Sequence, residues 1–418
     1  MPDIRSFLRT FPAPAHHQWL GLACFAAMVW GLYTAAEAII SIAVIALACN
    51  VLLNRSVGHI FRRFLRDPAM LGLTGVFLLY VCSGFFSEDT GYWLRRLRLA
   101  LPYLALPIGV LSIPRLGRAQ YHGLLYFFFL WALGSSLYSL ALYLQDFESI
   151  TAQYKVGKVL PTPVQHIRYS LMLAFAVPVG AYLARQRLYW LGGWERYLQW
   201  GGSVFLFLFL HVLAVRSGLL ALYCCVAYWL LRWIFLRRKW ALGLGLALGL
   251  AGGLWLSATY VPTLKNKVNY TIYSLQQFAR GEKLDELSDS HRLGSVLAGL
   301  ALLKQEPVTG VGLGDLRAGC EAYYQAHIPS IAGRDLLPHN QWLFVAAATG
   351  LPGLLYFLWA TVFPLWQRQR WKDWLSVSFH LILFSSFLVE HTLETQFGLT
   401  LYLWFVVLMA RFHSPEKG

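Results

Sequence analysis

Residues 335–353 read DLLPHNQWLFVAAATGLPG and join a long polar segment to an apolar one. Pro338-His339-Asn340 stands at the junction and is followed by about 25 mostly apolar residues, enough to cross the hydrocarbon core of a bilayer as a helix. The sequence therefore predicts that the imidazole of His339 lies where a membrane helix emerges into water.

The composition is that of a membrane protein. Of 418 residues 57% are hydrophobic and 13% are charged, whereas a soluble domain has about 25% charged residues. The 17 Trp and 22 Tyr suit many membrane–water crossings, because these rings prefer the interface. The net charge of +15 would also suit a nucleic-acid-binding protein, but no basic run is interleaved with stacking aromatics. We therefore expect membrane lipids, and no nucleic acid, as partners.

Apolar runs of about 17 to 25 residues predict an all-α polytopic membrane protein with about twelve transmembrane helices. Nine helices are expected in residues 1–260, one large periplasmic loop with an amphipathic helix in 261–338, and three helices in 339–418. Arg216 separates the seventh helix from the eighth, since an arginine at the bilayer centre costs about 2.5 to 3.5 kcal/mol. The twelve segments are 18–34, 36–53, 69–87, 97–113, 122–144, 169–185, 199–215, 217–236, 240–260, 340–366, 373–390 and 396–412.

The positive charges predict the orientation, because they accumulate on cytoplasmic loops. With a cytoplasmic N-terminus, more than half of the 35 Lys and Arg residues fall on inside segments, and both termini are cytoplasmic. Seven basic residues lie on short outside positions against this trend, where each would meet lipid phosphates or another anion: Arg95, Arg96, Arg98, Lys155, Lys158, Arg168 and Arg216. For Arg168 and Arg216, which lie at helix ends, we favour a functional role.

Two outside segments carry further polar residues. In HRLGSVLAGLALLKQEP, which begins at His291, the apolar residues follow one face of a helix that Pro307 ends. The next residues, PVTGVGLGDL, lack the preceding strand and the Lys-Ser/Thr of a phosphate loop, so a nucleotide site is disfavoured. Residues 145–168 lack helical periodicity and are expected to be an ordered connector that presents Gln165, His166 and Arg168.

His339-Asn340, nine residues, Gly350, two residues and Gly353 form a pattern that resembles the signature of the O-antigen ligase and polymerase superfamily, bacterial membrane glycosyltransferases that use lipid-linked sugars. The Pro-x-x-Gly-x-Gly-x-Gly segment from Pro307 is similar to one in the same superfamily. The resemblance covers about residues 260–360 together with Arg216, and a weaker one lies at His-Ile-Arg-Tyr, residues 166–169. It implies the fold of the membrane glycosyltransferase class C enzymes.

The resemblance implies an O-antigen ligase, which transfers O-antigen from undecaprenyl diphosphate to lipid A-core on the periplasmic face of the inner membrane and so completes lipopolysaccharide. An O-antigen polymerase and a protein O-oligosaccharyltransferase share the motif and stay open, although a compact chain without added domains favours the ligase. A flippase or transporter would instead place charged residues along a path inside its helices, where Glu37 is the one plausible acidic residue.

A ligase of this kind needs cations for the diphosphate, a base for the acceptor hydroxyl, and a cleft open to lipid. Arginine grips phosphate oxygens bidentately, and the candidates are Arg168, Arg216 and Arg292. His339 is the candidate base, because the ordinary pKa of histidine lies near 6.5; direct attack would invert the anomeric centre. The expected supporting residues are Asn340, His166, Gln165 and His291.

A metal site is not indicated. Three histidines, 166, 291 and 339, could meet, but no HExxH, Asp-x-Asp or carboxylate-rich motif accompanies them. Arginine can supply the positive charge that a metal would supply. We expect no cofactor and a metal-independent reaction, with Glu390 and Glu394 positioning an acceptor sugar or an arginine.

Overall fold

The structure, a computed structural model, describes residues 14–187, 189–190, 192–238, 240–280 and 288–412. Within these ranges the chain is helical and forms no β-strand. The predicted cytoplasmic termini fall on residues 1–13 and 413–418, outside the described ranges.

Eighteen α-helices occur in the described residues. They are α1 Pro14–Thr34, α2 Glu37–Leu53, α3 Val57–Leu65, α4 Pro68–Cys82, α5 Thr90–Ala100, α6 Pro102–Gly109, α7 Arg118–Gln145, α8 Phe147–Gln153, α9 His166–Gln186, α10 Glu195–Leu213, α11 Arg216–Arg237, α12 Trp240–Tyr260, α13 Pro262–Arg280, α14 Ser288–Gln305, α15 Leu316–His327, α16 Gln341–Trp366, α17 Trp374–Phe387 and α18 Gln396–Arg411.

Six helical segments of the described chain are long and apolar enough to cross a membrane: 68–86, 118–145, 166–186, 216–235, 243–260 and 341–372. A seventh crossing is counted if α2 and α3, which meet at 115°, form one broken span. Two further apolar helices, α17 and α18, are shorter than these. The protein is thus a polytopic membrane protein, while the number of twelve crossings stays a prediction.

The predicted boundary between segments 18–34 and 36–53 and the predicted break at Arg216 are both found in the structure. Ala35 has a φ of 58° between α1 and α2, and Ala214 has a φ of 50° between α10 and α11. Glu37 therefore begins a helix and is exposed, so it does not lie deep inside one. Predicted segment 97–113 is divided between α5 and α6, and the predicted connector 145–168 contains the short helix α8.

Helix α9 lies at the centre of one half of the molecule. It packs against α7, α10, α11 and α17, and its side chains are almost all buried. In the other half, α4 packs against α6 and α16, and α16 also contacts α14. Because α9, α11 and α16 each begin beside the cavities described below, their first residues converge on one place.

The first glycine of the sequence signature, Gly350, forms a kink in α16. Gly350 has φ 71° and ψ 179°, a conformation that is essentially restricted to glycine. The freed backbone groups pair with the glycine-rich loop after α14: Val311 and Gly312 donate to the carbonyls of Ala347 and Ala348 at 2.9 and 3.1 Å. A Cβ on Gly350 would lie 2.0 Å from the carbonyl oxygen of Val308. The kink in α16 therefore allows the glycine-rich loop to pack closely against the helix, and the loop in turn pairs with the backbone carbonyls near the kink.

Candidate active site

His339 is held at the start of α16 by its neighbour. The side chain of Asn340 accepts a hydrogen bond from the backbone N–H of Leu343 at 2.9 Å and so caps the helix. The Asn340 amide also donates to the carbonyl of Leu388 at 3.4 Å. Asn340 thereby fixes the backbone from which His339 extends.

Ser295 on α14 contacts both the backbone and the ring of His339. Its hydroxyl donates to the carbonyl of Arg292 at 2.7 Å and accepts from the backbone N–H of His339 at 3.1 Å. Nδ1 of His339 lies 3.1 Å from the same oxygen, whose single proton is already used, and this arrangement favours the tautomer in which Nδ1 donates. This tautomer leaves the lone pair on Nε2, as a general base requires.

The surroundings keep His339 neutral. Burial lowers its pKa, and the positive charge of Arg292 and the nearby His291 lower it further, while Glu390 and a hydrogen bond with the Leu337 backbone act in the opposite direction. The net result is a pKa below the ordinary value of 6.5. His339 can therefore accept a proton at neutral pH.

The first of two cavities at this place has a volume of about 710 Å³. Its polar lining includes Arg216 and Ser217 from the start of α11, His166 from the start of α9, and Lys267 from α13. Most of the remaining wall is apolar: Val159, Ile167, Val215, Leu220, Leu293, Val296, Leu388 and Val389. The cavity therefore combines cations with a surface that suits a hydrocarbon chain.

Asp289, in the first turn of α14, pairs with two of the predicted arginines. Its carboxylate forms an ion pair with Arg216, in which Nη1 donates to Oδ2 at 2.9 Å, and Nη1 of Arg292 lies 3.6 Å from Oδ1. Burial acts to raise the pKa of Asp289, but the hydrogen bond and charge of Arg216 outweigh it, so the pKa is lowered. Asp289 is therefore ionised at neutral pH.

Lys267 adds a third cation to the first cavity. It is buried, and its Nζ donates to the carbonyl of Gly157 at 2.9 Å. Burial and the nearby Arg216 lower its pKa to about 8, so that Lys267 is mostly protonated at neutral pH.

The second cavity, of about 360 Å³, is more polar. Its charged and polar lining residues are Gln165, Arg168, His291, Arg292, Asp335, His339, Glu390 and His391. Nε of Arg168 donates to the hydroxyl of Thr395 at 3.1 Å. The His391 ring packs edge-on against His339, with ring centroids 5.4 Å apart.

Ile167, Arg292 and His339 line both cavities. The structure therefore places the predicted base where the two cavities adjoin. Arg292 and Arg216 share the first cavity and Arg292 and Arg168 share the second, but neither of these two cavities is lined by all three arginines. Of the predicted supporting residues, His166 lines the first cavity, and Gln165 and His291 line the second.

A buried network of one ion pair and several hydrogen bonds lies next to the start of α16. Glu394 forms an ion pair with Arg96 at 2.5 Å and accepts hydrogen bonds from Tyr80 at 2.5 Å and from Gln341 at 2.9 Å. Gln341 is the first residue of α16 and also accepts from the backbone N–H of Leu393 at 2.8 Å. Glu394 thus positions an arginine, one of the two roles that the sequence suggested for it.

Ser295, Lys267 and Asp289 belong to the site but were not among the predicted site residues. Asp289 lies three residues before Arg292 and Ser295 three residues after it, on the same helical face. That spacing is the signal that could have indicated them. Lys267 gave no such signal, because its place in the cavity depends on how α13 packs.

Among the described residues no group of three or more His, Cys, Asp or Glu side chains has the arrangement of a metal site. His166, His291 and His339 therefore do not form the three-histidine cluster that was considered from the sequence.

Residues 201–358 match the family model described as O-antigen ligase. This range contains Arg216, Asp289, Arg292, Ser295 and His339, and ends just beyond the kink of α16. The comparison with curated proteins finds no match. Members of the matched family are membrane glycosyltransferase-like enzymes. Over these residues the match supports the resemblance to the O-antigen ligase and polymerase superfamily that the sequence motifs indicated.

Proposed function

We propose that the protein is an O-antigen ligase, which transfers O-antigen polysaccharide from undecaprenyl diphosphate to lipid A-core on the periplasmic face of the bacterial inner membrane. The observation that carries this proposal is the position of His339 and Arg292 on the lining of both cavities. A transferase that joins two bulky substrates needs one place where a donor site and an acceptor site meet around a base.

The first cavity suits the donor. Its apolar wall can take the start of a polyprenyl chain, and its cations can hold the diphosphate. Arg216 and Arg292 present planar guanidinium groups that grip phosphate oxygens bidentately. Arg168 lies on the second cavity, and we assign it to the phosphate nearer the transferred sugar.

The second cavity suits the hydroxyl-bearing sugar of the acceptor. Its polar lining offers hydrogen-bond partners from Gln165, His291 and Glu390. His166 borders the donor side, and Asn340 acts through the helix cap that positions His339.

In the reaction, Nε2 of His339 takes the proton of the acceptor hydroxyl, whose oxygen attacks the anomeric carbon. The bond from that carbon to the phosphate oxygen breaks, and undecaprenyl diphosphate leaves from the opposite face, so the anomeric centre is inverted. The arginines stabilise the charge that develops on the diphosphate. Since they supply this charge, we expect transfer to continue in EDTA.

Three acceptors compared in one assay test the proposal. Purified protein in detergent receives undecaprenyl-diphosphate-linked O-antigen with lipid A-core, with a second lipid-linked glycan, or with a peptide rich in Ser and Thr. We expect extension of lipid A-core alone. Extension of the lipid-linked glycan would make the protein a polymerase, and labelling of the peptide a protein O-oligosaccharyltransferase; either result would overturn the proposed acceptor.

A further inference from the structure

The two arginines of the first cavity, Arg216 and Arg292, both lie close to the carboxylate of Asp289. Asp289 is ion-paired with Arg216 on α11 and lies 3.6 Å from Arg292, one helical turn along α14. Nη1 of Arg216 also donates to Thr271 at 3.3 Å. The N–H groups that a diphosphate would use on Arg216 are thus directed at a carboxylate.

The net charge of the first cavity also affects how tightly a diphosphate is held. Arg216, Arg292 and Lys267 provide three positive charges and Asp289 one negative charge, a net charge of +2. The diphosphate diester of a lipid-linked glycan carries two negative charges, whereas a released polyprenyl diphosphate carries up to three. Without Asp289 the cavity would have a net charge of +3 and would hold the released diphosphate more tightly.

We infer that Asp289 is an internal counter-ion that competes with the polyprenyl diphosphate for Arg216 and Arg292, and so limits how tightly the diphosphate product is held. This inference rests on the proposed function. When the diphosphate binds, Asp289 gives up part of its pairing with Arg216. Its place in the first turn of α14 helps it to stay ionised, because the positive end of the helix dipole favours a carboxylate there.

A positioning role for Asp289 would have the opposite consequence. If the carboxylate only orients the two guanidinium groups, removing its charge loosens them and weakens diphosphate binding. If it competes, removing its charge strengthens binding. The direction of one measured change therefore separates the two roles.

The test measures binding of farnesyl diphosphate, a short isoprenoid diphosphate, to the purified full-length protein in detergent by calorimetry. We expect Asp289→Asn to bind it about tenfold more tightly than the wild type, since one repelling charge at short range is removed. Glu306→Gln removes one carboxylate from an exposed position just after α14 and serves as the control, with a change below twofold. The unfolding temperature of each variant is measured alongside to check that it is folded.

Arg216→Gln makes the outcomes distinguishable. If the wild type binds farnesyl diphosphate, Arg216→Gln weakens binding, and Asp289→Asn leaves it unchanged or weaker, the counter-ion inference is wrong while the donor site stands. If neither the wild type nor the Asp289 variant binds farnesyl diphosphate, the proposed donor site is wrong and the inference falls with it. Tighter binding to Asp289→Asn that disappears in the double variant with Arg216→Gln would support both.

Discussion

The hydroxyl oxygen of Ser295 lies 3.1 Å from both the backbone nitrogen and Nδ1 of His339. One side chain on α14 thus holds the candidate base by two hydrogen bonds. Both are donated to the serine, because the hydroxyl proton goes to the carbonyl of Arg292.

Ser295→Ala should therefore lower kcat by about 10- to 100-fold and leave KM for both substrates nearly unchanged, because Nδ1 loses its partner while the cavity linings stay in place. Steady-state kinetics of ligation would measure this. Ser136→Ala is a matched control: that serine also donates to a helix carbonyl, at 2.7 Å, but lies on α7 outside both cavities. A rise in KM with kcat unchanged would show that Ser295 serves binding instead.

The pH dependence of kcat/KM should report the pKa of His339. The base acts when unprotonated, and burial lowers its pKa below 6.5, so activity should be level at neutral pH and fall only below pH 6.5. Glu390→Gln removes the charge that raises this pKa and should move the acid limb to still lower pH. Movement to higher pH in that variant would contradict the role of His339 as the titrating base.

Gly350→Ala should be strongly destabilising. The new Cβ would lie 2.0 Å from the carbonyl oxygen of Val308, and the φ of 71° strains any other residue, so we expect a loss above about 3 kcal/mol. Thermal unfolding in detergent would measure it. Gly249→Ala in α12, where a Cβ meets nothing within 4 Å, should cause no loss. Equal unfolding temperatures for the two variants would disprove the requirement for a kink.

Glu394→Gln should destabilise the protein by about 3 kcal/mol and reduce ligation, because it leaves Arg96 buried without a counter-ion beneath the start of α16. The side chains of this pair are 10% and 5% exposed. In the control pair, Arg317 and Asp335 are 45% and 64% exposed, and Arg317→Gln should cost less than about 1 kcal/mol. The comparison would be made by thermal unfolding, and a similar cost for both variants would refute the structural role of the buried pair.

The sequence predicted the break before Arg216 and one helix of the predicted loop, α14, because local features determine them. An arginine and its polar neighbour cannot continue an apolar run, so the break before Arg216 could be seen directly. The amphipathic stripe likewise predicted α14, which extends from Ser288 to Gln305. Helix α15 was not predicted, although its buried residues Leu316, Cys320 and Tyr324 also follow one helical face.

The pairing inside the site could not be predicted in the same way. Asp289 and Arg216 lie 73 residues apart, and Glu394 and Arg96 lie 298 apart, so tertiary packing alone brings them together. The sequence also gave no reason for Arg168 and Arg216 to line different cavities. That separation depends on how α9 and α11 pack, which no local pattern encodes.

The most direct test of the account is ligation by the purified protein in detergent, with undecaprenyl-diphosphate-linked O-antigen and lipid A-core, for the wild type and His339→Ala, with and without EDTA. We expect the wild type to extend lipid A-core in both conditions. A folded His339→Ala should still bind the donor but transfer it at least about 100-fold more slowly, as expected for loss of a general base. Near-normal transfer by His339→Ala would contradict the assignment of the base, and loss of wild-type activity in EDTA would contradict the metal-independent mechanism.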